Sequence, residues 1–254
     1  LSCFLVPRLL PDGQNNGLHF QRLKNKLGNH SNASSEVVFE NARATLVGGE
    51  GNGIRTILEM VTLTRLDCAV SAAAQMRAAF AEAVHHARHR KVFGKTLIDQ
   101  PIMARALADM ALDVAASQAL TLRLARSFDE APNSETEAGY ARLMTPVIKY
   151  WTCKICPPLI FEAMECLGGN GFVEDSILPR LYREAPLNAI WEGSGNVMGL
   201  DVLRAIGREP EAIPAFMAEV EQARGNHPNL DRAIDDLRDQ LAWGEKQLAA
   251  MKTS

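Results

Sequence analysis

Ile190-Trp191-Glu192-Gly193-Ser194-Gly195-Asn196 packs a carboxylate, a large aromatic ring, two glycines and a hydroxyl into seven residues. A glutamate between an apolar pair and a glycine is set to be partly desolvated, and a desolvated carboxylate suits general-base work. Ser194-Gly195 opens a helix, and the free N–H groups of a helix start suit phosphate. The same residues also read as an acidic charge at a helix N-terminus with serine as its cap. Both readings stand on this stretch alone.

Two further stretches carry chemistry. Arg90-Lys91-Val92-Phe93-Gly94 closes a long helical pattern. It reads as a basic helix end with a glycine cap, or as an anion site beside an aromatic plane, which a dinucleotide pyrophosphate needs. Gly168-Gly169-Asn170-Gly171-Phe172 ends a helix, and its three glycines also let a backbone approach a flat ligand. No strand precedes it, so it is not a strand–turn–helix dinucleotide fingerprint. Cys153-Lys154-Ile155-Cys156 has redox or metal spacing but no second cysteine pair, and it lies in a helical pattern. His85, His86 and His89 read as a solvated helix end, so no metal site is expected. Arg65 and Asp67 stand inside the long helix, placed to pair across a bundle or to reach a ligand.

The elements that position these groups follow from the patterning. Apolar residues at 54, 57, 58, 61, 66, 69, 70, 73, 76, 80, 83, 84 and 87 form a helical stripe without proline or glycine. Gln100-Pro101 starts a second helix to about Phe128, with proline near its first position. A third, about 135–164, contains Pro146 and Pro157-Pro158, where kinks are expected. Shorter helices are expected near 179–183, 194–206, 211–224 and 228–250. Before Gly48-Gly49-Glu50-Gly51-Asn52-Gly53 the chain reads as β, with strands over 1–6, 18–20 and 34–40, and no strand is expected after it. Long helices with short connections imply antiparallel neighbours in a bundle.

Composition agrees. Of 254 residues, 47% are hydrophobic, which supports a sizeable core and excludes a disordered chain. Aromatic residues at 6% are few for a β-sandwich. The net charge is −3, and residues 201–254, with seven basic and ten acidic side chains, carry all of it. A basic tail gripping phosphate is therefore excluded from this stretch. Five cysteines, an odd and sparse set, argue against a disulfide framework and point to a reducing cytoplasm. The longest apolar runs are too short to span a membrane. The chain opens on Leu1 inside a strand pattern, so further sequence is expected upstream.

The order Arg-x-x-Phe-Gly, Gly-Gly-x-Gly-Phe, Trp-Glu-Gly-Ser, all expected on helices, resembles the acyl-CoA dehydrogenase family over residues 1 to about 206. Lys26-Leu27-Gly28 and Glu36-Val37-Val38-Phe39 are similar to the last strands of that family's middle β domain. Residues 48–53 are similar to its passage into the C-terminal four-helix bundle. The likeness implies a mainly α fold: 1–48 as the end of the β domain, 49–206 as the helical bundle, and 207–254 as an additional helical extension. The family's N-terminal helical domain would lie upstream.

What the resemblance implies about chemistry is specific. It implies FAD and a homotetramer. Arg90 and Phe93 match positions that contact the pyrophosphate and adenine side of FAD from a neighbouring subunit, and Gly168 and Gly169 match the adenosine-side loop across the same kind of interface. Ser194 and Asn196 match positions near the phosphates, and Glu165 stands where many relatives carry glutamine. Glu192 matches the catalytic base. The implied reaction is dehydrogenation of an acyl-CoA thioester: Glu192 takes the proton next to the carbonyl while a hydride passes to the flavin, and an electron-transfer partner then reoxidises it. The thioester oxygen is held by the base's own backbone N–H and a flavin hydroxyl, an oxyanion-type arrangement. Residues 1–13, 26–34, 178–184 and 190–196 are also similar to a subgroup linked to protecting DNA from alkylation, which implies an alternative: a DNA-binding flavoprotein with weak dehydrogenase activity. A non-catalytic helical assembly domain is the third reading.

Overall fold

The computed structural model describes residues 1–209 and 211–253. The chain enters as β. Strand β1 (Cys3–Leu5) pairs antiparallel with β4 (Thr45–Val47), and β2 (Leu18–Leu23) with β3 (Ser35–Phe39). Three of the four lie where alternation places them; β4 is too short to show a period. The loops around them are stapled by Asn16. Its buried side chain donates to the carbonyls of Pro7 and Arg43 (2.8 Å each) and accepts from the Arg43 N–H (2.8 Å).

Helix α1 (Gly53–His89) begins against β1. The Gly53 N–H donates to the Leu1 carbonyl at 3.0 Å, and a Cβ at Gly53 would lie 2.6 Å from the Ser2 carbonyl carbon. Only glycine fits that close approach. The helix ends at His89, and Arg90 is already extended. A two-stranded hairpin follows, β5 (Lys91–Val92) and β6 (Lys95–Thr96), with Phe93 and Gly94 at its tip. Both tip residues are left-handed (φ 50° and 79°), as a two-residue hairpin turn requires. Two expectations are corrected here. A strand pair does occur after residue 53, and Gly94 caps a hairpin rather than the helix.

Helix α2 (Pro101–Glu130) opens on its proline as expected, and α3 (Glu135–Leu167) follows after a short 3₁₀ turn. Ser134 caps α3 by accepting from the Glu137 N–H at 3.3 Å. α3 continues as one helix through Pro146, Pro157 and Pro158. An interior proline costs about 3 kcal/mol; burial of Ile148, Cys153, Cys156 and Ile160 on the same helix offsets that cost. The remaining helices are α4 (Gly169–Phe172), α5 (Leu178–Asn188), α6 (Gly195–Arg208), α7 (Ala212–Glu221) and α8 (Pro228–Thr253). The architecture is mainly α. No helix among the described residues is long and apolar enough to cross a membrane.

The chain forms two compact units, residues 1–125 with 145–199, and residues 126–144 with 200–254. The first holds a core in which Ala72, Met76, Ala79 and Ala83 of α1 meet Leu107 and Met110 of α2, Cys153 and Ile160 of α3, and Leu178 of α5. The alanine stripe explains why α1 carries so little bulk: small residues let its neighbours come close. The Cys153 thiol donates to the Cys68 carbonyl (3.6 Å) and the Cys156 thiol to that of Ala72 (3.5 Å), so α1 and α3 run parallel. In the second unit Arg142 and Arg204 both pair with the buried Asp201 (2.9 and 3.3 Å), and Arg224 bridges Glu221 and Asp235.

The same packing decides the cysteine chemistry. Burial pushes the thiols of Cys153 and Cys156 up to about 12, that of Cys166 up to about 11, and that of Cys68 upward. The thiolate is the reactive form, so these four stay inert at mild alkaline pH. With iodoacetamide at pH 8, mass spectrometry is expected to find Cys3 alkylated and the other four modified only after denaturant. Modification of Cys153 or Cys156 in the folded protein would contradict this packing.

Candidate functional site

Glu192 lies in the connection from α5 to α6. The N–H groups of Ile190 and Trp191 both return to the Leu187 carbonyl (2.9 and 3.1 Å), which closes α5 tightly. Glu192 then takes φ 57° and Gly193 φ 117°. A left-handed backbone costs an ordinary L-residue roughly 1–2 kcal/mol, so the surroundings must hold it there.

They do so through three successive carbonyls. The ammonium of Lys149, on α3 and 1% exposed, donates to the carbonyls of Trp191 (2.9 Å) and Gly193 (2.5 Å). Arg65 on α1 donates through Nε to the carbonyl of Glu192 itself at 2.9 Å. The Trp191 indole N–H donates to Asn188 Oδ1 (3.2 Å), whose amide donates to Ser71 Oγ on α1 (3.3 Å). Burial pushes the Lys149 pKa below its ordinary value and Arg65 adds to that, while Cys153, Cys68 and Glu192 oppose it. Glycine is required at two places. Gly193 takes φ 117°, a conformation that L side chains rarely adopt, and a Cβ on Gly195 would lie 2.9 Å from the Tyr150 ring.

The turn faces a cleft of about 240 Å³ in which Thr64, Asp67, Cys68 and Ser71 of α1 stand opposite Trp191 and Glu192. The glutamate is half-buried. Of its two apolar neighbours expected to dry the site, Trp191 lines the cleft, whereas Ile190 is 66% exposed. This chain therefore shields the carboxylate from one side. Of the two α1 residues singled out from sequence, Arg65 bonds the turn and Asp67 lines the cleft.

Ser194 and Asn196 stand beside Glu192, exposed at the start of α6. The first bond there runs from the Met198 N–H to the Ser194 carbonyl (2.9 Å), so the N–H groups just before Met198 have no partner within the helix. Glu165, Gly168 and Gly169 are exposed at the end of α3. Gly168 is left-handed (φ 61°), and a Cβ on it or on Gly169 would meet nothing, while one on Gly171 would lie 2.3 Å from the Met164 carbonyl. Gly171 thus serves packing, and the other two leave open backbone. Arg90 is exposed and Phe93 is 99% exposed. Counted from Asp67 along α1 at 1.5 Å per residue, Arg90 lies about 35 Å away. The structure brings Ser194 and Asn196 to Glu192 and keeps Arg90 and Phe93 far from it.

Sequence reasoning missed Lys149. Its signal was available: Thr145, Pro146, Thr152 and Cys153 share its helical face by three- and four-residue spacing, and a lysine on a core face needs a partner.

Residues 51–207 match the family described as acyl-CoA dehydrogenase, C-terminal domain. The chain is 50% identical over 248 residues to AidB of Escherichia coli (strain K12), a relative carrying the acyl-CoA dehydrogenase name, covering 98% of this chain and 46% of that one. It is 36% identical over 251 residues to acyl-CoA dehydrogenase family member 11 of Caenorhabditis elegans, covering 98% and 41%. The crystal structure of C. elegans ACDH-11 in complex with C11-CoA superposes with a TM-score of 0.85 at 35% identity, covering 98% of this chain and 42% of that one. The chain belongs to the acyl-CoA dehydrogenase family, and its helices between residues 51 and 207 match that family's C-terminal helical domain. It spans under half the length of these relatives.

Proposed function

We propose that the protein works as an FAD-dependent acyl-CoA dehydrogenase-like flavoprotein, with Glu192 as the base that takes the proton next to the thioester carbonyl. The observation that carries this reading is the α5–α6 turn, in which Lys149 and Arg65 hold a half-buried glutamate against a cleft. A C11-CoA complex of the C. elegans relative supports an acyl-CoA as the ligand class.

The residues present suit FAD. Ser194, Asn196 and the unpartnered N–H groups at the start of α6 offer donors to a phosphate. Arg90 offers a fixed cation, Phe93 a fully exposed ring, and Gly168 and Gly169 open backbone, with Glu165 next to them. Bound FAD would supply the hydride acceptor that no protein side chain can provide. The separation along α1 means that Arg90 and Phe93 serve a different copy of the site from the one Glu192 serves. A homotetramer meets that need. The many exposed apolar residues of α1, including Ile54, Ile57, Leu58 and Leu63, also favour further packing partners. An electron-transfer protein would take up the electrons, and a cytoplasmic setting suits five free thiols.

The test is anaerobic titration of the whole flavin-loaded protein with acyl-CoA thioesters of graded chain length. Bleaching of the flavin absorbance by one class of thioester is the expected result. A protein that holds FAD but is bleached by none rejects the dehydrogenase reading. Strong DNA binding with a steep salt dependence in that same protein would favour the DNA-protecting reading instead.

A further inference from the structure

We infer that Lys149 is the positioning residue of the Glu192 turn: its buried ammonium, spanning the Trp191 and Gly193 carbonyls, keeps Glu192 left-handed and so aims both its carboxylate and its peptide N–H. The inference rests on the reading of Glu192 as the base and goes beyond it. The Trp191 and Gly193 carbonyls are joined through the dihedrals of Glu192 and Gly193 (φ 57° and 117°), and both cannot stay on one cation if Glu192 relaxes to an ordinary φ while Gly193 keeps its own, because the peptide planes would rotate. Arg65 holds the carbonyl between them from the opposite helix. Three consecutive carbonyls are thus shared between α3 and α1, and the residue at their centre is the strained one.

A packing role does not account for this arrangement. Lys149 is among the largest fully buried side chains of the described residues, on a helical face shared with Pro146, Thr152 and Cys153. A methionine would fill that volume without the cost of burying a charge. What methionine lacks is two donors at the right places. The charge sits among Arg65, Cys68, Cys153 and Glu192. A buried donor pair is worth its desolvation where it over-determines a backbone that must not move.

The test is read first on the backbone, apart from activity. In isotopically labelled protein the Cα and Cβ shifts of Glu192 report its left-handed φ. A slowly exchanging lysine ammonium signal, assigned by its loss in Lys149→Arg, reports the two carbonyl bonds. Lys149→Met is expected to shift Glu192 out of the left-handed region while the far-ultraviolet helix signal persists. In the FAD-loaded protein the same change is expected to slow flavin bleaching by octanoyl-CoA roughly 10²-fold, the scale of a small misplacement, with the octanoyl-CoA concentration dependence little changed. Left-handed shifts that persist in folded Lys149→Met overturn the inference, and so does a wild-type protein without a protected lysine ammonium. If Lys149→Met does not fold, the wild-type ammonium signal decides it. If octanoyl-CoA fails to bleach even the wild type, the dehydrogenase reading is what fails, and the shifts of Glu192 still judge Lys149.

Discussion

Glu192→Gln is expected to slow anaerobic flavin bleaching by an accepted acyl-CoA roughly 10²–10⁴-fold, the usual range for a positioned base, while FAD stays bound. Glutamine keeps the size of the side chain and its hydrogen bonds but cannot take up the proton. The turn itself should survive the change, because the Lys149 and Arg65 bonds that hold it run to backbone carbonyls, from Lys149 to Trp191 and Gly193 and from Arg65 to residue 192. The loss should therefore appear in the rate and not in the flavin content or the helix signal. If the glutamine variant loses FAD and bleaches normally once flavin is restored, the carboxylate is a cap for the start of α6 and the catalytic assignment falls.

Arg90→Ala is expected to do the opposite, weakening FAD retention by roughly 10–10²-fold, as loss of a charge-assisted contact to a diphosphate does. Its decisive form is a mixing experiment. Arg90 lies about 35 Å by helical rise from Asp67, the α1 residue that shares a cleft with Glu192. In a symmetric oligomer that shares each site between copies, chains carrying only Glu192→Gln and chains carrying only Arg90→Ala complement one another. Random co-assembly then restores about a quarter of the sites to intact composition. If both residues served the same site from one chain, every site would keep one defect and the mixture would stay as inactive as its parents. Absence of recovery in a verified mixed assembly would remove the shared-site reading and the tetramer argument with it.

The helices were largely legible in the sequence because each carries its own punctuation. The α1 stripe, Pro101 at the start of α2, Ser134 before α3, and the glycines at 168 and 193 mark boundaries by local stereochemistry, which needs no partner. The mainly α class and the family follow from the same residues. The failures have the same logic. The β5–β6 hairpin is two residues on each side, too short for alternation to register, and Phe93 reads as an aromatic on a helix end until its φ of 50° shows it at a hairpin tip. β4 has three residues and exists only through its pairing with β1.

The candidate site divides along the same line. Sequence alone identified Glu192 as the carboxylate to watch, Ser194 and Asn196 beside it, and the glycines that permit the turn, because these are adjacent in the chain and their types carry the chemistry. It also set Arg65 and Asp67 apart as charged residues within the long helix, placed to pair across a bundle or to reach a ligand. Tertiary structure alone decided that Arg65 and Lys149, 84 positions apart in the numbering, meet on three consecutive carbonyls of the Glu192 turn. It also decided that Ile190 faces outward and that Arg90 stands far from Glu192. The physical reason is range. Helix signals, caps and left-handed glycines are properties of a few neighbouring residues, whereas a buried ammonium becomes a clamp only when another helix carries unpaired carbonyls to it.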